Sequence, residues 1–272
     1  MKCAALVLVL IVSVFPLYAQ APTTVLFPSA YYTAGTYSGG ARSDSYSGYA
    51  SISFQPYEYL VAGYDKMLIE ASTWTYDQHL FVVGGQKNLY PFYLKLNYGG
   101  LKGTFNMPSA RYSYDDQIDI LNGGLLYNVD LFVVGPVYTY VNVRGYKTLH
   151  CHQVGLQGEW IIDPAFSVSL APLYTTLTDG RSLVSATALM TYSPVRPLVL
   201  QVSGVWGKRA YYFNPVLLTV FNQDETQENL WSVRAEYTVG GIVTLIGSYQ
   251  STAFTGYTVK YLALGVRGRV EW

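Results

Sequence analysis

The chain has 272 residues with 17 basic and 17 acidic side chains, a balance that offers no electrostatic case for nucleic acid or an anionic membrane surface. Only 12% of the residues are charged, 27 are Tyr and 25 are Gly; beyond one run at the amino terminus, no apolar stretch is long enough to cross a bilayer as a helix. Helical membrane proteins are thereby excluded, leaving an exported β-sandwich or a membrane barrel.

Met1-Lys2 precedes an apolar run from Ala4 to Phe15, and Pro16-Leu17-Tyr18-Ala19 ends on a small residue before Gln20. This is the pattern of a secretory signal peptide over residues 1–19, shorter than the ~20 residues of a spanning helix. Cys3 leaves with it, so Cys151 remains alone and closes no internal disulfide. Residues 20–30 read as a periplasmic lead-in and residues 31–272 as one folded domain.

Within that domain the period is two. Residues 31–38 predict a weak first strand, 39–44 a polar loop, 46–54 and 59–69 the next strands. Residues 73–83 place Trp74, Tyr76, Leu80 and Val82 on one row and Asp77 and His79 on the other, before an expected turn over 84–90. Phe92, Leu94, Leu96 and Tyr98 then alternate with Tyr93, Lys95, Asn97 and Gly99. Residues 105–114 read as a loop, and 117–127 set Ile118 and Ile120 opposite Gln117 and Asp119. In residues 131–143 Pro136 lacks a ladder donor, which predicts a bulge or a rim position. Residues 149–161 turn Gln153, Gln157 and Glu159 away from Val154, Leu156 and Trp160. Phe166, Val168 and Leu170 follow, and Thr178-Asp179-Gly180-Arg181 predicts a type I′ hairpin. Strands over 184–192 and 198–206 precede one long insertion, residues 208–228. Trp231, Val233, Ala235 and Tyr237 then alternate with Ser232, Arg234, Glu236 and Thr238, and Val243, Leu245 and Tyr249 mark the next strand.

The final stretch sets Leu262, Leu264, Val266, Gly268, Val270 and Trp272 on one row and Arg267, Arg269 and Glu271 on the other. It resembles the carboxy-terminal strand of bacterial outer-membrane β-barrels, where a terminal aromatic and apolar residues at every second position are recognised by the insertion machinery. The resemblance implies an assembly signal in Leu264, Val266, Val270 and Trp272, location in the outer membrane, and lipid and the insertion machinery as partners. The expected fold is all-β, an antiparallel up-and-down transmembrane β-barrel of about 14 strands, with 12 as the alternative because the first hairpin is weak. An even count puts both termini on the periplasmic side, and strands of about ten residues suit a membrane better than the five or six usual in soluble sheets.

Function is less legible. Asp77, Lys95, Asp119, Glu159, Arg234, Glu236, Arg267, Arg269 and Glu271 are expected to point inward, where they either tune solute passage or pair across strands and brace a filled barrel. The insertion carries Lys208, Arg209, Tyr211, Tyr212 and Phe213 beside a further apolar run, too apolar to stay in water. It is expected to fold into or over the mouth as a constriction, or to extend the wall as a hairpin. His150-Cys151-His152 puts two histidines on one face and the cysteine on the other, too few ligands for a metal. No Gly-x-Ser-x-Gly elbow is present. The leading reading is a channel for small solutes, with no cofactor and no catalysis; a filled structural or partner-docking barrel is second, and a lipid-modifying barrel hydrolase third.

Overall fold

The computed structural model describes residues 24–55, 58–214, 219–221 and 224–272; the expected signal peptide lies outside them. The strands are β1 (Val25–Tyr37), β2 (Arg42–Gln55), β3 (Glu58–Glu70), β4 (Thr75–Leu89), β5 (Phe92–Met107), β6 (Tyr112–Val129), β7 (Phe132–Arg144), β8 (Leu149–Asp163), β9 (Phe166–Leu177), β10 (Ser182–Val195) and β11 (Leu198–Arg209). The insertion holds the short pair β12 (Tyr212–Asn214) and β13 (Thr219–Phe221). The wall resumes with β14 (Gln227–Val239), β15 (Val243–Phe254) and β16 (Thr258–Gly268), which continues as β17 (Val270–Glu271).

Each wall strand pairs antiparallel with its neighbour in sequence, β11 pairing with β14 across the insertion, and β1 pairs back onto β16 and β17. The result is a closed barrel of fourteen strands. Closure is complete to the last described rung, because Thr24 and Trp272 exchange two backbone hydrogen bonds of 3.2 Å. Among the described wall strands no sheet edge is left to meet lipid with unpaired backbone groups. The first strand starts at Val25 rather than near residue 31. Pro28 hid its beginning: the proline lacks a donor, and it faces the break between β16 and β17, where the ladder passes from Ser29↔Arg267 to Leu26↔Val270.

The outer face is apolar. Val154, Leu156 and Trp160 on β8, Leu170 and Tyr174 on β9, Leu200, Val202 and Trp206 on β11, Trp231, Val233 and Tyr237 on β14, and Leu262, Leu264 and Val266 on β16 are all exposed. A contiguous apolar surface of this extent needs a nonpolar surrounding. Aromatics bracket it, with Phe132 stacked on Trp160 towards the end holding the termini and Trp231 against Tyr249 towards the other, as at the two interfaces of a bilayer. The two ends are called here the terminal end and the loop end.

Several local expectations change. Residues 84–90 are not a turn: β4 runs through Gly84 and Gly85, which pair with Asn97 and Leu96 and carry no side chain to mark a face. The phase of β4 is reversed, with Tyr76, Gln78, Leu80 and Val82 buried inside while Phe81 is exposed, so Asp77 and His79 face outward. Residues 105–114 are mostly strand, because β5 and β6 stay paired to Met107↔Tyr112 around a single 3-10 turn at Pro108–Ala110. At Pro136 there is neither a bulge nor a rim position; the β6–β7 ladder passes from Gly124↔Val137 to Tyr127↔Val134 in unchanged register. At Asp179-Gly180 only the glycine takes a positive φ, +93°, and Gly180 N–H donates to Leu177 O at 3.1 Å. That is a type I turn closed by a left-handed glycine, not a type I′ turn.

Candidate functional site

The insertion enters the barrel. Its path is set by two backbone features just after the regular part of β11. Gly207 has φ +91°, and a Cβ there would lie 2.4 Å from Val184 O. The register against β14 shifts here, between Trp206↔Asn229 and Arg209↔Gln227, as in a glycine bulge. Tyr211 then adopts φ +48°, a costly conformation for a bulky residue that persists only where its surroundings fix it.

Those surroundings are the inner wall. Ala210, Tyr211 and Phe213 are buried in one cluster with Leu80 and Val82 of β4, Leu101 of β5, Ile118 and Ile120 of β6, Val141 and Val143 of β7, and Leu149 and Cys151 of β8. Phe213 is 1% exposed and Arg209 2%. Gln153 Nε2 donates to the carbonyls of Ala210 and Tyr211, both at 3.4 Å. Arg209 Nε donates to Gln227 Oε1 at 3.1 Å, and its guanidinium lies 3.8 Å from the centre of the Tyr212 ring. Of the five constriction candidates, Arg209, Tyr211 and Phe213 are buried inside and Tyr212 is half-buried. Lys208 is exposed, because alternation turns it away from its buried neighbour Arg209.

A polar latch holds the far side of the insertion. Asp224 receives Lys147 Nζ from the β7–β8 loop and Arg181 Nη2, at 2.9 Å, from the β9–β10 turn. Arg181 also donates to the Asp224 carbonyl at 2.6 Å and pairs with Asp179 at 2.6 Å, and Tyr211 Oη lies 3.4 Å from Asp224 Oδ1. The Arg181 hydrogen bond holds the Asp179 carboxyl below its ordinary value. Burial raises that of Asp224, but the hydrogen bonds and charges of Lys147 and Arg181 outweigh it, and the net shift is downward. None of these four charged residues was expected at the site from the sequence, where Asp179 and Arg181 mark only a turn and Lys147 and Asp224 lie in loops with no periodicity.

Below the insertion the inner wall is polar. Glu236 accepts Arg234 at 2.8 Å and Arg267 at 2.7 Å, joining β14 to β16 across β15. Arg269 pairs with Glu271 at the terminal end. Lys95 on β5 and Glu159 on β8 also lie on inward rows, three strands apart.

Asp119 does not join them. Ile118, Ile120 and Asn122 occupy the inward row of β6, which leaves Asp119 outside, where it accepts Tyr98 Oη at 2.8 Å and pairs with Arg144. The expectation failed because this part of β6 lies near the loop end, where the outer face too is wet. His150 and His152 are likewise outward, their Nδ1 atoms hydrogen-bonded to Tyr140 at 2.9 Å and Tyr138 at 2.7 Å, while Cys151 is buried inside. His79 Nδ1 meets Tyr64 Oη at 2.6 Å. Among the described residues no group of three His, Cys, Asp or Glu could hold a metal.

No protein-family model matches the chain, and no curated protein matches it in sequence. Solved structures do match in fold. The toluene transporter TodX from P. putida is 9% identical, with TM-score 0.50 over 93% of this chain and 90% of that one. The outer membrane protein Omp33 from Acinetobacter baumannii is 10% identical, with TM-score 0.50 over 92% and 100%. The translocator domain of autotransporter NalP from Neisseria meningitidis is 12% identical, with TM-score 0.48 over 90% and 88%. With TodX and Omp33 the chain shares the fold of bacterial outer-membrane β-barrel proteins.

Proposed function

We propose that the protein is an outer-membrane channel for small solutes whose mouth is narrowed by its own insertion. One observation carries this reading: Ala210, Tyr211 and Phe213 pack among inward-facing wall residues, whereas the wall towards the terminal end is polar and charged. Arg209, Tyr211, Tyr212 and Phe213 then form the constriction, and Lys208, turned away from Arg209, stays outside it. Arg234, Glu236, Arg267 and Arg269, together with Lys95 and Glu159, set the charge along the path, as rings of charged side chains do in other pores. Lipid and the insertion machinery are the partners implied, the latter through Leu264, Val266, Val270 and Trp272.

Deleting residues 214–224 and recording single channels in a planar bilayer tests the constriction. Conductance is expected to rise severalfold, and an unchanged conductance through an intact channel would sink the idea. The buried Arg209 and the Glu236 pairs also suit a filled, non-conducting barrel. That second reading predicts no swelling of liposomes in small sugars, with or without the deletion.

A further inference from the structure

Between the insertion and the wall, the loop end holds a cavity of about 230 Å³ lined by Trp74, Tyr76, Phe105, Tyr114, Tyr146 and Tyr211, with Asp116, Asp224 and Lys147 as its charged groups. The rings are organised. Trp74 stacks on Phe105 with centroids 5.7 Å apart, Phe105 on Tyr114 at 5.0 Å, and Tyr114 meets Tyr146 at 5.5 Å. Tyr211 and Asp224 line it from the insertion side.

The charges around it are not equivalent. Lys147 and Asp224 are paired with each other, and Asp224 also holds Arg181. Asp116 has no cationic partner among the described residues. It receives Tyr76 Oη at 3.4 Å and the Tyr146 N–H at 3.4 Å, both long for hydrogen bonds to a carboxylate. The lining therefore carries one uncompensated negative charge beside a set of π faces, whose quadrupoles attract cations. An anion would meet Asp116 with its only nearby ammonium already engaged. A neutral ring would leave the carboxylate without a partner in a half-buried site.

We propose that this mouth cavity binds a small organic cation, an aryl- or alkylammonium, with its charged nitrogen on Asp116 and its apolar part among the rings. The size fits, since an apolar cavity of about 150 Å³ is known to hold benzene, and the extra volume takes an ammonium substituent. The site does not depend on the lumen conducting.

Isothermal titration of the refolded full-length chain with benzylammonium, benzyl alcohol and benzoate tests the assignment, independently of any conductance measurement. Benzylammonium is expected to bind at least tenfold more tightly than benzyl alcohol, and benzoate more weakly than either. Asp116→Asn removes that preference, whereas Tyr146→Leu at the rim weakens all three probes three- to tenfold and keeps the order. Equal affinity for benzylammonium and benzyl alcohol, tighter binding of benzoate, or no heat with any probe overturns the proposal on the unaltered protein alone.

Discussion

Asp224 ties the insertion to two different loops through Lys147 and Arg181, so its ionisation governs whether the mouth stays latched. Its carboxyl and that of Asp179 are held below their ordinary value. A depressed carboxyl contributes fully above the unfolded value, about 4, and the contribution is lost as pH falls through the lower folded value. On the proposed channel function, the loop side is therefore expected to open more often once the pH drops below about 4. Asp224→Asn should show the same raised open probability at neutral pH, measured in single-channel records; a pH-independent open probability would contradict the latch. Lys147, Arg181 and Asp224 are each ordinary polar loop residues in the sequence. Their meeting needs the barrel to bring residues 147, 181 and 224 together, which no local spacing encodes.

The elements were more legible than the contacts. Twelve or more alternating segments could be read because each strand must show an apolar row to lipid and a different row inside. The rule failed where that contrast vanishes or inverts. In β4 both rows are apolar, since Leu80 and Val82 face the insertion while Phe81 faces out, and the phase came out reversed. In β6 the apolar row, Ile118 and Ile120, faces the insertion inside while the polar row near the loop end faces out, and Asp119 was assigned inward. Gly207 was invisible for another reason: a bulge is a property of two strands in register, not of one. Gly207→Ala places a Cβ 2.4 Å from Val184 O at a φ of +91°. Strain of this kind costs about 1–3 kcal/mol, to be seen as a lowered denaturant midpoint, and the shifted bulge should release Arg209 and raise conductance. A variant as stable as the parent, with unchanged conductance, would mean the bulge does not steer the insertion.

At the scale of the whole molecule, the outer and inner faces obey different solvents, and one strand pair can show it. Leu264 is exposed on the outer row of β16 and pairs with Gly247, while the adjacent rung sets Ala263 against the inward Ser248. Leu264→Arg is expected to cost about 2–4 kcal/mol if the residue lies near the bilayer centre, whereas Ser248→Arg should cost much less. Unfolding in lipid vesicles by denaturant measures both, and equal costs would contradict the assignment of the two faces.

The seam where β1 meets β16 carries a further meaning in time. Tyr37 and Tyr261 touch through their hydroxyls although 224 residues separate them, and every rung of that ladder spans a similar distance along the chain. The other wall ladders join strands close in sequence and can form as local hairpins; this one has the highest loop-closure cost and is expected to form last. Until it does, β1 and β16 each present an unpaired edge that another chain could occupy. The interval before closure is thus when the protein is most open to mispairing, and also when an assembly partner can act on the exposed edge.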